Sequence, residues 1–293
     1  MVRRIEERFI SLNQNIRIAV LLTCHNRAQL TLRCLQSLYS SDASELYLIE
    51  IYLTDDGSTD DTSRLIKSNF PSVNIIQGNG SLYWNKGMYS AWIKALATRP
   101  DFYLLLNDDV ELERDAIFNL LNLYNESSLP CVIVGKTVDP NSKQTTYGAL
   151  RRKSAISRNT FIPISENSDM AVTFNANCVL IPAAAIDSVG ILDPFYTQQF
   201  GDIDLGLRLH LHGWKIVELL EPVAYLPKNT AYTHAEFRLS IKGFKKLLRD
   251  PKGIPITEWW HFLYKFNGYL AIFYFFFRYL RVVVLGIRNR LLE

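Results

Sequence analysis

The chain has 293 residues, 48% of them hydrophobic and 21% charged. This composition argues against a disordered chain and suffices for one large core, or one core with a C-terminal appendage. The net charge of +3 hides an asymmetry: from Arg208 onward there are 14 Lys/Arg against 6 Asp/Glu, a charge of +8, and the remainder carries −5. An acidic body with a basic, aromatic tail points to a polyanionic surface, anionic lipid or nucleic acid, as the partner of the tail.

Taken in chain order, Met1 to Asn15 is charged and lacks the apolar core of a signal peptide, so a cytoplasmic location is expected. Ile16–Leu22 reads as a buried strand and Ala28–Ser40 as a helix, with Leu30, Leu32, Leu35 and Leu38 near helical spacing. Tyr47–Leu53 is a second strand, ending at Asp55-Asp56-Gly57, and Asp60–Ser68 a short helix. Val73–Ile76 predicts a third strand, Lys86–Ala97 a helix, Phe102–Leu106 a fourth strand and Arg114–Tyr124 a fourth helix. Strands separated by helices imply crossover units and a mainly parallel sheet. Beyond Val132–Val134 the pattern loosens: Asp139–Ser168 is polar, with loops or edge strands expected, and Val179–Ile181 is a short strand. Ile203–Leu211 has helical spacing and Lys215–Leu219 predicts another strand. Cys24, Cys34, Cys131 and Cys178 form no CxxC pair and lie in or beside apolar runs, as buried free thiols do.

The tail is different. Trp259-Trp260 opens it, Tyr269–Phe277 is wholly apolar or aromatic, and Arg278 and Arg281 interrupt before Val282–Ile287. A spanning helix needs about 20 mostly apolar residues, and an arginine at mid-bilayer costs roughly 2.5–3.5 kcal/mol. Helices lying in a membrane interface are therefore expected; the alternative is a helical hairpin packed on the preceding domain. The density of Phe, Tyr and Trp fits an interface better than nucleic acid.

The polar clusters all follow strands, and ligands in open α/β sheets bind beyond the carboxyl ends of the strands. Thr23–Arg27, Asp55–Asp61 and Asn107–Asp109 should therefore converge on one rim. Two adjacent carboxylates, Asp108 and Asp109, repel, and a hard divalent ion favours their joint ionisation and offsets a diphosphate. The alternative is that one of them caps a helix starting near Glu111. Asp60 or Thr59 can cap the next helix, leaving carboxylates to accept from a base N–H or a ribose hydroxyl. Gly201-Asp202-Ile203-Asp204 precedes an amphipathic helix; one carboxylate can serve as its N-cap, and the other is left to act as a general base. Trp84 and Tyr83 lie near the same rim, where aromatic faces stack on sugar rings or, alternatively, fill the core.

Val20-Leu21-Leu22-Thr23-Cys24-His25-Asn26-Arg27, then Leu53-Thr54-Asp55-Asp56-Gly57-Ser58-Thr59-Asp60, then Leu106-Asn107-Asp108-Asp109 together resemble the family 2 inverting glycosyltransferases with the GT-A fold, bacterial polysaccharide and rhamnosyl-type transferases among them. The likeness continues through Gly78-Asn79-Gly80-Ser81-Leu82-Tyr83-Trp84 and Gly201-Asp202-Ile203-Asp204-Leu205, over about residues 16–235. Each motif alone is weak; in this order they are specific. The resemblance implies a GT-A α/β domain over 14–235, after an N-terminal extension 1–13 and before a helical, basic and aromatic tail 236–293. It assigns Thr23, His25, Arg27, Asp55 and Asp56 to the donor nucleotide, Asp108 to its ribose, and Asp109 to a divalent metal, Mn2+ or Mg2+. His234 would complete the metal site, Asp202 would be the catalytic base, and Trp84 and Asp204 would face the acceptor. Two positions depart from the pattern: Asn107 stands where Asp is common, and Gly201 where Glu is usual.

The activity implied is transfer of one sugar, with inversion, from a nucleoside-diphosphate sugar to a glycan or polyprenyl-linked acceptor. The setting would be cell-surface polysaccharide assembly at the inner face of the cell membrane. A nucleotidyltransferase is the enzymatic rival, disfavoured because Thr23–Ala28 replaces the glycine-rich loop expected there. A non-catalytic, membrane-docked nucleotide-sugar-binding subunit is the rival from another class, disfavoured by Asp109 and Asp202.

Overall fold

A computed structural model describes residues 16–155, 157–165, 170–227 and 248–280. The expected elements form. Strands β1 (Arg17–Cys24), β2 (Leu48–Asp55), β3 (Asn74–Gln77) and β4 (Phe102–Leu106) alternate with helices α1 (Ala28–Tyr39), α2 (Ala43–Leu46), α3 (Thr62–Asn69) and α4 (Tyr83–Ala95). Then come β5 (Glu111–Leu112), α5 (Ala116–Glu126), β6 (Cys131–Val138), β7 (Thr145–Tyr147), β8 (Ala149–Arg152), β9 (Phe161–Pro163), β10 (Thr173–Phe174) and β11 (Cys178–Pro182). The chain continues through α6 (Ala183–Val189), α7 (Gly201–Leu211), β12 (Lys215–Tyr225) and α8 (Ile256–Asn267), and residues 271–280 are again helical.

The main sheet runs β3-β2-β1-β4-β11-β6-β12-β5, with β7 beside β6. Its first four strands are mutually parallel. The other half is mixed, because β11 lies antiparallel between β4 and β6. Cys178 pairs with Leu106, so β11 begins where β4 ends and the loop before it is delivered to the carboxyl rim. The polar stretch after β6 supplies short strands, three of which form a small second sheet, β10-β8-β9.

Continuous apolar runs arise because the central strands are covered on both faces. In β1, Ile18, Val20 and Leu22 enter the core beneath α1, α3 and α5, while Ala19 and Leu21 enter the one beneath α4, α6 and α7. Burial of a leucine such as Leu35 on α1, fully inside, contributes about 1.5–3 kcal/mol. All four cysteines are buried and free. Helix α5 starts later than the Arg114 expected from its pattern, because Glu111 and Leu112 pair with β12. Strand β12 extends past Leu219 through Pro222, where a register shift accommodates the proline.

A third apolar cluster joins the tail to the body: Tyr196 and Leu207 meet Ile254, Trp259, Phe262, Leu263 and Ala271. The tail is packed on the domain by one face and exposes the other. No helix among the described residues is long and apolar enough to cross a membrane. The N-terminal extension, His234 and the tail beyond Leu280, including Arg281 and Val282–Ile287, lie outside the described residues.

Candidate active site

The rim is assembled from loops that hold one another. His25 Nδ1 lies 2.6 Å from the Asp56 carbonyl, Asn26 accepts from Thr59 N–H (2.7 Å), and Asn26 N–H donates to Ser58 Oγ (2.9 Å). Asp60 accepts from the first amide of α1, Ala28 N–H (3.0 Å), and from Thr62 N–H and Oγ1 at the start of α3. One carboxylate thus terminates two helices, as the helix-capping reading of this motif anticipates.

Asp55 and Asp56 build the turn. Asp55 accepts from Ser58 N–H (2.9 Å) and from Ser63 Oγ. Asp56 is 3% exposed and accepts from three backbone amides, Gly80 (2.8 Å), Leu82 (2.9 Å) and Tyr83 (2.9 Å). Most of the acceptor capacity of both carboxylates serves the protein, and little remains for a ligand. Gly57 and Gly80 both have positive φ, and a Cβ on Gly57 would lie 2.7 Å from Gly80 N, so only glycine lets these loops touch. Positive φ at the non-glycine residues Asn26, Tyr83 and Phe200 also clusters at this end of the sheet; such backbone persists where surrounding contacts over-determine it, a frequent property of ligand sites.

Thr23 is buried against α4. A Cβ on Gly87 would fall 2.1 Å from Thr23 Oγ1, so the glycine sets how closely α4 lies on β1. Thr54 Oγ1 donates to the Gly87 carbonyl (2.8 Å) and locks that contact. The first turn of α4 thereby brings Trp84 to the acidic turn, where Trp84 Nε1 donates to Asn107 Oδ1 (2.8 Å). The Asn107 amide in turn donates from Nδ2 to Asn177 Oδ1. Asn107 thus accepts on one side of its amide and donates on the other; a carboxylate at this position could take both Trp84 Nε1 and a turned Asn177 amide.

Asp108 and Asp109 differ from the other carboxylates. Neither caps a helix, since β5 and not α5 follows them. Arg27 Nη1 donates to Asp108 Oδ1 (3.1 Å) and Asp109 Oδ2 (2.8 Å). The remaining oxygens, Asp108 Oδ2 and Asp109 Oδ1, are buried with no partner. Burial pushes the Asp108 carboxyl up to about 7, with Arg27 opposing and Asp109 reinforcing the rise. Two unpartnered, inward oxygens on adjacent carboxylates suit a hard cation. Among the described residues no three His, Cys, Asp or Glu side chains converge as a complete metal cage.

Asp202 stands in the first turn of α7, whose N-cap position is Phe200 and carries no side-chain cap. Its Oδ1 accepts from Ile203 N–H (2.8 Å) and its Oδ2 from Ala176 N–H (3.4 Å). Burial pushes it up to about 6, opposed by these amides and by Asn175. Residues 175–177 therefore link Asp202 to Asn107 and the acidic turn. Asp204 is not with them. It is 0% exposed and takes Tyr196 Oη, Arg208 Nε (2.7 Å) and Lys265 Nζ (2.7 Å) in a cluster beneath α8. Gly201, the second departure, has a cause in packing: a Cβ there would meet Asn85 Oδ1 at 1.7 Å, while Asn85 Nδ2 holds the Asp193 and Tyr196 carbonyls.

Sequence reading missed Asn175, Asn177, Gln198 and the tail residues Glu258, His261 and Lys265. The two asparagines carried a signal, polar residues inside the apolar run 171–182. Gln198 Oε1 accepts from Trp84 N–H (3.0 Å), Glu258 from Thr197 N–H (3.1 Å), and Asp193 takes His261 Nε2 (2.9 Å) and Lys265 Nζ (3.0 Å). These contacts join distant stretches and have no local pattern.

Residues 19–183 match the family described as Glycosyl transferase family 2. Over 120 residues the chain is 32% identical to the chondroitin synthase of Escherichia coli, covering 39% of this chain and 16% of that protein. In fold it is similar to S. aureus TarS, with a TM-score of 0.55 at 15% identity over 80% of this chain and 40% of that chain. It is also similar to the mannosyltransferase PcManGT from Pyrobaculum calidifontis in complex with GDP-Man and Mn2+, with a TM-score of 0.54 at 15% identity over 80% and 64%. A third likeness is S. aureus TarS 1–349 in complex with UDP-GlcNAc, with a TM-score of 0.53 at 15% identity over 80% and 67%. The chain spans a minor part of the curated relative and 40% of full TarS. The α/β architecture is that of these GT-A glycosyltransferases.

Proposed function

The chain belongs to glycosyl transferase family 2, and from that membership and the rim geometry we propose that it transfers one sugar, with inversion, from a nucleoside-diphosphate sugar to a hydroxyl of a glycan or lipid-linked acceptor. The observation that carries the reading is the pair Asp108–Asp109, with two buried unpartnered oxygens, joined through residues 175–177 to Asp202. The similar structures in complex with UDP-GlcNAc and with GDP-Man and Mn2+ support a nucleotide-sugar donor and a divalent metal here.

In this reading Thr23, His25, Arg27, Asp55 and Asp56 shape the donor pocket, Asp108 approaches the ribose, and Trp84 offers an aromatic face to a sugar. Asp109, with Asp108 beside it, would hold Mn2+ or Mg2+, which when bound offsets the charge growing on the leaving diphosphate. Asp202 accepts the acceptor hydroxyl proton as the oxygen forms its bond to the anomeric carbon. The bond to the diphosphate breaks on the opposite face, and the diphosphate departs with the electron pair. A carboxyl raised to about 6 is ionised at neutral pH yet more basic than an ordinary aspartate, which suits a general base.

We also read the tail as the membrane-facing element. Tyr269, Ile272, Phe273, Phe276, Phe277 and Leu280 are exposed at helical spacing, on a part of the chain whose charge is +8. Arg278, which interrupts the apolar run in sequence, lies over the Trp259 ring at 4.2 Å. An anionic surface at the inner face of the cell membrane, and a lipid-linked acceptor presented there, fit this arrangement.

The test is a thermal-shift and hydrolysis screen of nucleotide sugars with Mn2+ or Mg2+. Stabilisation by a nucleotide diphosphate and metal-dependent hydrolysis lost in Asp109→Ala are expected. Binding without turnover of any donor supports the non-catalytic subunit instead. Flotation with anionic liposomes is expected for the full chain; a chain that stays wholly in the soluble fraction refutes the membrane reading.

A further inference from the structure

We propose that Arg27 is a resident counter-cation: in the donor-free protein its guanidinium holds Asp108 and Asp109 together, and it transfers to the donor diphosphate when a divalent cation takes its place. The inference rests on the reading of these carboxylates as a cation site.

Three observations support it. First, each carboxylate of the pair is divided in the same way. Asp108 Oδ1 and Asp109 Oδ2 take Arg27, and Asp108 Oδ2 and Asp109 Oδ1 are buried and empty. Asp108 itself is 5% exposed. One guanidinium serves two carboxylates and leaves one oxygen of each without a partner.

Second, the contact is built to release. Both bonds come from the single nitrogen Nη1, not from the two-nitrogen fork that makes arginine–carboxylate pairs firm. The side chain is 40% exposed. The backbone is fixed separately, because the Arg27 carbonyl accepts from Thr31 N–H (2.9 Å) and Thr31 Oγ1 (3.0 Å) in the first turn of α1. The guanidinium can therefore leave by side-chain rotation alone, with the rim loops in place.

Third, charge counting sets the order of events. Two carboxylates with Arg27 and a divalent cation give a net charge of plus one, so the cation is opposed by the guanidinium when it enters alone. A diphosphate brings two negative charges, accommodates both cations and draws Arg27 away from the carboxylates. Metal and diphosphate should accordingly enter together, and Arg27 should suppress binding of metal by itself. Nearby charges of like sign act strongly at partly buried positions.

The experiment measures Mn2+ binding by the fall in its free-ion electron paramagnetic resonance signal, using Mn2+ alone and Mn2+ with UDP or GDP. Wild type should bind Mn2+ weakly alone and more tightly with a nucleotide. Arg27→Gln should bind Mn2+ alone at least about tenfold more tightly than wild type and gain less from the nucleotide. Arg27→Lys, which keeps the charge, should stay near wild type for Mn2+ alone and separates loss of charge from disturbance of the loop. If wild type binds Mn2+ with a nucleotide but Arg27→Gln gains no affinity for Mn2+ alone, the counter-cation role is overturned and the cation site stands. If wild type binds Mn2+ equally well with and without nucleotide, the exchange is likewise overturned. If neither protein binds Mn2+ under any condition, both the inference and the cation-site reading fail.

Discussion

The two sides of the rim, the proposed donor side and the proposed base side, are held in opposite ways. On the donor side the loops after β1, β2 and β3 are stitched to one another by backbone amides and short polar side chains, as where Asp56 gathers Gly80, Leu82 and Tyr83. On the base side the segment from Asp193 to Asp204 is held by a tail helix about sixty residues further along: Glu258 meets Thr197, His261 meets Asp193, and Lys265 bridges Asp193 and Asp204. A rim made of local turns can form as soon as its sheet does. A base segment clamped by a distant helix makes the placement of Asp202 depend on the docking of the tail, the same element that carries the exposed aromatic face.

Five expectations test this difference, ordered from the greatest loss to the least. Asp202→Asn should reduce turnover by about 10²–10⁴-fold while nucleotide-induced thermal stabilisation is retained, since the donor side is built separately. In the unaltered protein, kcat/KM should fall tenfold per unit as pH drops below about 6, because the raised Asp202 carboxyl is protonated there and can accept no proton; a pH–rate profile flat to pH 5 refutes this assignment. Lys265→Met leaves Asp204 buried with Arg208 as its remaining cation. It should destabilise by about 1–3 kcal/mol in urea unfolding, below the cost of breaking a fully buried pair because Lys265 is partly exposed, and lower kcat while donor KM is unchanged.

Gly201→Ala places a Cβ 1.7 Å from Asn85 Oδ1 and should cost about 1–3 kcal/mol as overpacking, again with donor affinity retained. The smallest effect on the enzyme itself is expected from Phe273→Asp with Phe276→Asp. Both rings are 66% exposed, so unfolding free energy should move by no more than about 0.5 kcal/mol per site, while flotation with anionic vesicles is lost. Retained flotation would show that this face does not contact lipid.

Legibility follows the same division. The parallel half of the sheet could be read directly, because β1 and β4 are buried on both faces and their apolar runs stop at polar turns. Thr23, Asp56 and Asp108 reach one rim because each lies at or just beyond the carboxyl end of a parallel strand, which spacing alone implies. Asp204 could not be read so: its pattern is that of a residue near Asp202, yet helical geometry turns it beneath α8, where Arg208 and Lys265 wait. The mixed half of the sheet was equally hidden, since strand direction depends on where the chain returns and not on the composition of Cys178–Pro182.

The α/β alternation, the order of the polar turns and the apolar, basic character of the tail are written in the chain, because these are properties of neighbouring residues. Which carboxylates stay available depends on long-range packing. Asp55, Asp56 and Asp60 find donors on adjacent loops, whereas Asp108 and Asp109 share one arginine and keep two buried oxygens empty. The fold also sets the partners of positions 107 and 201, since Asn107 bonds Trp84 and Asn177 and Gly201 makes room for Asn85. Asn177 and Asn85 lie 70 or more residues from these positions and become their neighbours only once β11 pairs with β4 and α7 packs beside α4.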